Sequence, residues 1–232
     1  MIESRQNKQV KMWIKLKQKK YRDQFDRFLV YGDHLIDRAK QVDALLEIIT
    51  DNPDKEGTLI SSDIMKALQQ TPSYIDQIGV CKKTNEPLTS HAILALDDVQ
   101  DPENVGALLR SAVAFGFKHI ILSLGCADLY NEKVIRASKG AIFDAYVERK
   151  PLYDALSSLK QLGYLVVAAD AHQSGSIQKV EQIVLVLGNE GHGLTVDVLP
   201  LVDQFVTIKT ETVESLNVSV AGAILMRDWS LS

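Results

Sequence analysis

Cysteine is nearly absent from this chain of 232 residues. Cys81 and Cys126 are the only two, far apart, with no CxxC and no Cys/His cluster at metal-ligand spacing. That excludes a disulfide-stapled scaffold and a structural zinc module, and it reads as two reduced thiols in a reducing compartment. Long hydrophobic runs are missing as well. Ile183–Leu187 and Val218–Met226 are far too short to cross a bilayer, and charge at Glu3 and Arg5 leaves no signal-peptide core. The expectation is a cytoplasmic protein with no membrane anchor and no metal. An overall excess of positive charge is also lacking, since the net charge is −4 and the pI about 5.7. A uniformly basic nucleic-acid coat is thereby excluded. Neither a P-loop nor G-x-G-x-x-G is present, and no internal repeat or low-complexity tract appears.

What is present is an ordinary globular composition, 46% hydrophobic and 24% charged, in a chain long enough to bury a full core. Its charge is unevenly placed. Residues 1–22 hold eight cations against Glu3 alone, a charge of +7 that leaves −11 for the rest. Lys8, Lys11, Lys15, Lys19 and Arg22 are spaced to share one face of a single long helix over about Ser4–Arg22. A charge stripe is commonly a solvated face. Here the lack of compensating carboxylates tilts the reading toward phosphate contact.

Two domains are expected. Residues 1–81 read as a small α/β unit: the basic helix, a strand near Phe28–Val30, a helix near His34–Gln41 and a β-rich run Ala44–Thr50. Residues 82–91, polar and centred on Pro87, read as a linker. From 92 to 232 the pattern alternates. Strand-like runs fall at Ala92–Leu96, His119–Ser123, Tyr164–Ala169, Ile183–Leu187 and Phe205–Ile208; helical patterns fall at Pro102–Phe115, Asn131–Ala137, Leu152–Leu162 and Ser215–Trp229. Continuous apolar strands alternating with helices indicate an α/β domain built on a parallel sheet covered on both faces. Ligands of such sheets bind at the loops leaving the carboxyl ends of the strands.

Three segments on those loops stand out. Asp97–Arg110 follows the first strand of the sheet and opens a helix with Asp101 as cap and Pro102 at its first position. Gly106 inside that helix costs about 1 kcal/mol relative to alanine. It stands four residues before Arg110, so the spacing puts both on one face. Taken alone, this is better explained by a close helix contact with Arg110 in solvent. Gly188-Asn189-Glu190-Gly191-His192-Gly193 follows Ile183–Leu187; its glycine order is wrong for a dinucleotide fingerprint, and taken alone it is a turn with His192 exposed. Ser215–Ala223 is rich in small residues and reads as a closely packed helix capped by Ser215.

Together, Asn104-x-Gly106-x-x-x-Arg110, Leu187-Gly188-Asn189-Glu190-Gly191 and Ser215-Leu216-Asn217-Val218-Ser219-Val220-Ala221 resemble the three motifs of the SpoU (TrmH-type) RNA ribose 2′-O-methyltransferases. Ser138-Lys139-Gly140-Ala141 resembles the family's stretch between the first two. The resemblance covers about residues 90–232; residues 1–80 are more loosely similar to the RNA-binding domain that precedes the catalytic domain in rRNA-directed members. It implies a parallel-sheet catalytic domain ending in a deep trefoil knot, a homodimer with its site near the two-fold axis, and S-adenosylmethionine as cofactor. RNA is the implied partner, 23S ribosomal RNA or the assembling large subunit, with tRNA as the alternative. A catalytically retired RNA-binding protein of the same fold is the other alternative. By match, Gly188, Ile208 and Leu216 would bind the cofactor, and Arg110, Asn104, Glu190, Ser215 and Asn217 would serve catalysis. Asn104 falls on a different helical face from Arg110, which gives it a supporting role toward a loop or the substrate. Lys8, Lys11, Lys15, Lys19 and Arg22 would contact RNA.

Overall fold

The N-terminal stretch carries the elements α1 (Lys8–Lys15), α2 (Lys19–Phe25), β1 (Arg27–Tyr31), α3 (Asp33–Gln41), β2 (Leu45–Thr50), β3 (Thr58–Leu59), α4 (Ser62–Leu68) and β4 (Gln77–Lys82). There follow β5 (Ala92–Leu96), α5 (Pro102–Ala114), β6 (His119–Leu122), α6 (Glu132–Ser138), β7 (Tyr146–Arg149), α7 (Leu152–Gln161), β8 (Leu165–Ala169), β9 (Ile183–Leu187), β10 (Gln204–Val206) and α8 (Val218–Leu231). The computed structural model describes residues 1–71, 73–170, 180–213 and 215–231. It divides into two compact units, one of residues 1–84 with 130–143 and one of residues 85–129 with 144–232.

The first unit is a four-stranded sheet of order β1-β4-β2-β3, with β4 antiparallel to both of its neighbours. Its core gathers Val10, Trp13 and Leu16 from the N-terminal arm with Ile49, Ile64, Leu68 and Ile78. Burial of these side chains decides the course of the arm. The single long helix expected over Ser4–Arg22 is broken at Leu16–Gln18, because Leu16 turns inward and Lys17 reaches the carbonyls of Ala67 and Gln69 at 3.0 and 3.3 Å. Arg22 is buried and donates to the freed carbonyls of Leu16 and Lys17 at 3.0 and 2.9 Å. It is therefore a structural clamp and not part of an exposed basic stripe. Lys82, placed by its polarity in the linker, is the last residue of β4.

Residues 130–143 belong with this unit although the sequence alternation assigns their helix to the following sheet. The physical reason is aromatic: Phe28 of β1 packs on Tyr130 and Phe143, with ring centroids 4.7 and 6.1 Å away. Ser138 is buried, Lys139 ends α6 with φ 51°, and Gly140 follows at φ 91° with the Arg38 side chain against it.

The second unit is a six-stranded, wholly parallel sheet of order β10-β8-β9-β5-β6-β7. β7 was not legible as a strand in the apolar pattern, since Tyr-Val-Glu-Arg at a sheet edge carries only one buried residue. Alternation along the strands sorts the two faces. Ile93, Ala95, Val166, Ala168, Val184 and Val186 pack with Leu152, Ala155 and Leu156 of α7. The opposite face receives α8. A methyl at Gly222 would lie 2.5 Å from the side-chain end of Leu108 of α5 and 2.6 Å from that of Leu187 of β9, so glycine lets the helix lie this close without displacing either leucine. No helix among the described residues is long and apolar enough to cross a membrane. Cys81 and Cys126 are free and buried, and burial pushes the Cys81 thiol up to about 12.

Candidate active site

β5 and β9 are adjacent and in register, Leu96 beside Leu187, and the chain moves outward from this pair in both directions. Their carboxyl ends form the topological switch point of the sheet, where a crevice opens in α/β folds. The loop after β5 leads to α5 and the loop after β9 is the glycine-rich segment, so sheet adjacency brings together residues 86 positions apart.

The loops are tied to each other by polar contacts. Asp97, buried at the end of β5, accepts from the Thr195 amide at 2.7 Å. The Asn189 side chain donates to the Asp98 carbonyl at 2.9 Å and accepts from the Gly191 amide at 2.8 Å. Asn189 and Gly193 exchange backbone hydrogen bonds of 3.0 Å, and Gly193 adopts φ 69°. The loop folds back so tightly that a Cβ on Gly188 would stand 2.5 Å from the Gly193 carbonyl carbon. This is a close backbone turn that only glycine accommodates.

A chain of side-chain hydrogen bonds joins the three motifs. Asn104 Nδ2 donates to Glu190 Oε1 at 2.5 Å, and Asn217 Nδ2 donates to Asn104 Oδ1 at 3.1 Å. Asn104 thus uses both ends of its amide and supports the glycine-rich loop. Asn217 also caps α8: its Oδ1 accepts from the Ser219 amide at 2.9 Å and from the Ser219 hydroxyl at 2.6 Å. Ser215 was expected to be that cap. It stands outside the helix, which begins at Val218, and is exposed on the approach to it. Arg110 is exposed on α5, about 9 Å along the axis from Asn104. Gly106 is buried, so the two do not present the same surface despite their spacing; at 100° per residue they stand about 40° apart, enough to straddle the edge of the core.

Beside this chain lies a cavity of about 760 Å³, reached from the ends of β8, β9 and β10. Gly188, Ile208 and Leu216 all line it, as do Glu190, Ser215 and Asn217; Asn104 and Arg110 do not. Its charged lining is acidic, Asp170 and Glu190, and no lysine or arginine is among the described lining residues. Among the described residues no three His, Cys, Asp or Glu side chains stand close enough to hold a metal ion.

The basic arm is rearranged relative to its sequence spacing. Lys8, Lys11 and Lys15 lie exposed on α1, whereas Lys19 is paired with Asp23 at 2.7 Å and Arg22 is buried. Asp23 also meets Lys83 at 2.7 Å, and hydrogen bonds from Lys19 and Lys83 hold its carboxyl down at about 2. What sequence reasoning missed is the role of residues outside the motifs: Asp97, Thr195 and the Asp98 carbonyl. Asp97-Asp98 directly after an apolar strand is the one available signal.

Comparison with known proteins identifies the family. Residues 91–227 match the model of the SpoU rRNA Methylase family, and residues 7–89 match that of the MRM3-like substrate binding domain. The 23S rRNA (guanosine(2553)-2′-O)-methyltransferase RlmP of Bacillus subtilis (strain 168) is 33% identical over 241 residues, covering 97% of each chain. The crystal structure of the SpoU methyltransferase AviRb from Streptomyces viridochromogenes in complex with AdoMet superposes with a TM-score of 0.85 at 21% identity, over 97% of this chain and 98% of that one. An RNA 2′-O ribose methyltransferase superposes with a TM-score of 0.82 at 28% identity, over 99% of this chain and 96% of that one. With motifs, sheet and full-length relatives in agreement, the chain belongs to the SpoU rRNA methylase family and carries an MRM3-like substrate-binding domain ahead of its methylase domain.

Proposed function

We propose that this protein transfers a methyl group from S-adenosylmethionine to a ribose 2′-hydroxyl of 23S ribosomal RNA, acting in the cytoplasm as a homodimer. The observation that carries the proposal is the hydrogen-bonded chain Glu190–Asn104–Asn217 beside the 760 Å³ cavity, which unites all three motif segments in one site. The name of the Bacillus subtilis relative directs the search for the target to a guanosine.

The cavity suits this cofactor in size and in charge. Its volume falls within the range of small-molecule sites. Leucines 187, 199, 216 and 225 supply apolar surface for a purine, and the backbone turn at Gly188 offers peptide groups at close range. An acidic lining favours a sulfonium cation and disfavours the pyrophosphate of a dinucleotide, which would meet carboxylates with no lysine or arginine among the described lining residues. S-adenosylmethionine supplies an electrophilic methyl group on that sulfonium. Gly188, Ile208 and Leu216 would hold it, in the part of the chain that the family resemblance assigns to a trefoil knot.

The protein's own contribution is positioning and charge. A ribose hydroxyl must approach in line, and holding it there supplies much of the rate. Arg110 is the group for this task. With five N–H donors and no acceptor, its guanidinium is unsuited to remove a proton but well suited to orient the hydroxyl and an adjacent phosphate in a two-pronged contact and to stabilise developing alkoxide charge. Arg110 is exposed and has no carboxylate partner among the described residues, and the cavity has no cation of its own among its described lining. These two facts are complementary if the arginine of one protomer serves the cavity of its partner, which is the basis for the homodimer. Glu190, Ser215 and Asn217 shape the cavity rim around the target nucleotide. Lys8, Lys11 and Lys15 offer phosphate contacts from the first unit.

Arg110→Ala tests the assignment. The rate of single-turnover methylation at saturating RNA should fall about 100-fold or more, while folding and affinity for S-adenosylhomocysteine persist. Arg110→Lys should rescue little, because an ammonium lacks the planar fork. Near-normal turnover by the alanine variant would return Arg110 to a solvated surface residue.

A further inference from the structure

Arg149 ends the edge strand β7, and its guanidinium donates to four backbone carbonyls of a single loop: Ser123 at 3.0 Å, Leu124 at 3.3 Å, Cys126 at 2.9 Å, and Ala127. No carboxylate pairs with it among the described residues. Fixing four carbonyls at once is what a planar five-donor group does and what a compact ammonium cannot do.

The other side of that loop is fastened to the exit of β5. The Ser123 hydroxyl donates to Asp98 Oδ1 at 2.5 Å and accepts from the Asp98 amide at 2.9 Å. The Ala127 amide donates to the Val99 carbonyl at 3.0 Å, and the Cys126 thiol to the Leu96 carbonyl at 3.2 Å. Gly125 is pressed so closely on Asp98 that a Cβ there would stand 2.3 Å from the Asp98 carboxylate. Asp98 itself sits at φ 55°, a left-handed conformation uncommon outside glycine but tolerated by aspartate, and here held by these contacts. In that conformation its carbonyl accepts from the Asn189 side chain, which in turn accepts from the Gly191 amide.

We infer that Arg149 is a positioning residue for the glycine-rich loop 188–193. It rigidifies loop 123–127, loop 123–127 holds Asp98 left-handed, and the Asp98 carbonyl anchors Asn189 and with it the loop that lines the cavity. The inference rests on the cofactor reading of that cavity, and it concerns a residue outside the three motifs. The path runs in series, so removing its first member should have no effect once its last is gone.

Calorimetric titration of the full-length chain with S-adenosylhomocysteine tests this. Arg149→Gln should raise its Kd about tenfold, the low end of the range seen when hydrogen-bond partners behind metal-ligating side chains are removed. RNA affinity should be unchanged. Ser123→Ala should shift the Kd in the same direction by less, and Arg149→Lys should fall between wild type and Arg149→Gln. Added to Asn189→Ala, the Arg149→Gln change should weaken binding no further. A folded Arg149→Gln variant with wild-type affinity, or fully additive losses in the double variant, would overturn the inference. If Arg149→Gln does not fold, Ser123→Ala decides: unchanged affinity there overturns it equally. A wild-type chain that fails to bind the probe would instead defeat the cofactor reading itself, and the inference with it.

Discussion

Glycine is the residue type on which the site geometry depends most. At Gly188 a methyl would meet the backbone of Gly193, which cannot move without opening the loop. At Gly222 it would meet the ends of two leucine side chains, which can shift. The two substitutions should therefore separate. Gly188→Ala should weaken S-adenosylhomocysteine binding about tenfold or more with little change in Tm. Gly222→Ala should cost about 1–3 kcal/mol of stability, as overpacking ordinarily does, with binding largely kept. Calorimetry and thermal denaturation on the same preparations check both. At this scale the motifs were legible in sequence but their division of labour was not. The Asn104 spacing showed only that it faces away from Arg110; that it bridges Glu190 and Asn217 depends on strand adjacency. Ser215 has the chemistry of a cap, yet Asn217 takes the position because the helix starts later. Arg149 gave no signal, since its carbonyl partners lie 22 to 26 residues away and carbonyls have no sequence identity.

Among elements, the apolar strands were the most legible. β5 and β9 fall on the residues that their unbroken Ile/Val/Leu/Ala runs mark, because strands buried on both faces need no alternation. β7 escaped notice for the opposite reason: half-exposed and polar, it is held by pairing with β6 and not by its composition. The N-terminal arm is the clearest case of tertiary packing overriding a local pattern. Cationic spacing suited one helix, but burial of Leu16 and the clamp from Arg22 divide it in two. The consequence for RNA binding is specific. Replacing Lys8, Lys11 and Lys15 with Gln should lower RNA affinity and flatten its salt dependence, each lost phosphate contact removing about 0.7 to 0.9 from the slope of log K against log salt. Arg22→Gln should instead destabilise the fold and leave the slope of the folded fraction unchanged. Filter binding across a salt series, with a melting curve for each variant, distinguishes the two. An unaltered slope in the triple lysine variant would make α1 a solvated face only.

The whole molecule joins an acidic body to a basic arm, and each part answers a different need. In the proposed function the arm offers phosphate contacts, while the acidic cavity suits a cationic cofactor. In the proposed reaction, the exposed Arg110, which does not line the cavity of its own chain, serves that of a second copy. Light scattering of the full-length protein should therefore report a dimer at micromolar concentration, and a monomer that still methylates RNA would contradict the shared site. The central claim is the transfer itself. Ribosomal RNA from cells lacking this gene, incubated with the purified protein and S-adenosylmethionine, should gain a 2′-O-methylated nucleoside detectable by mass spectrometry after digestion, and the Arg110→Ala protein should add almost none in the same time. Methylation of a base instead of a ribose, or no methylation of any RNA by a protein that binds S-adenosylhomocysteine, would contradict the account.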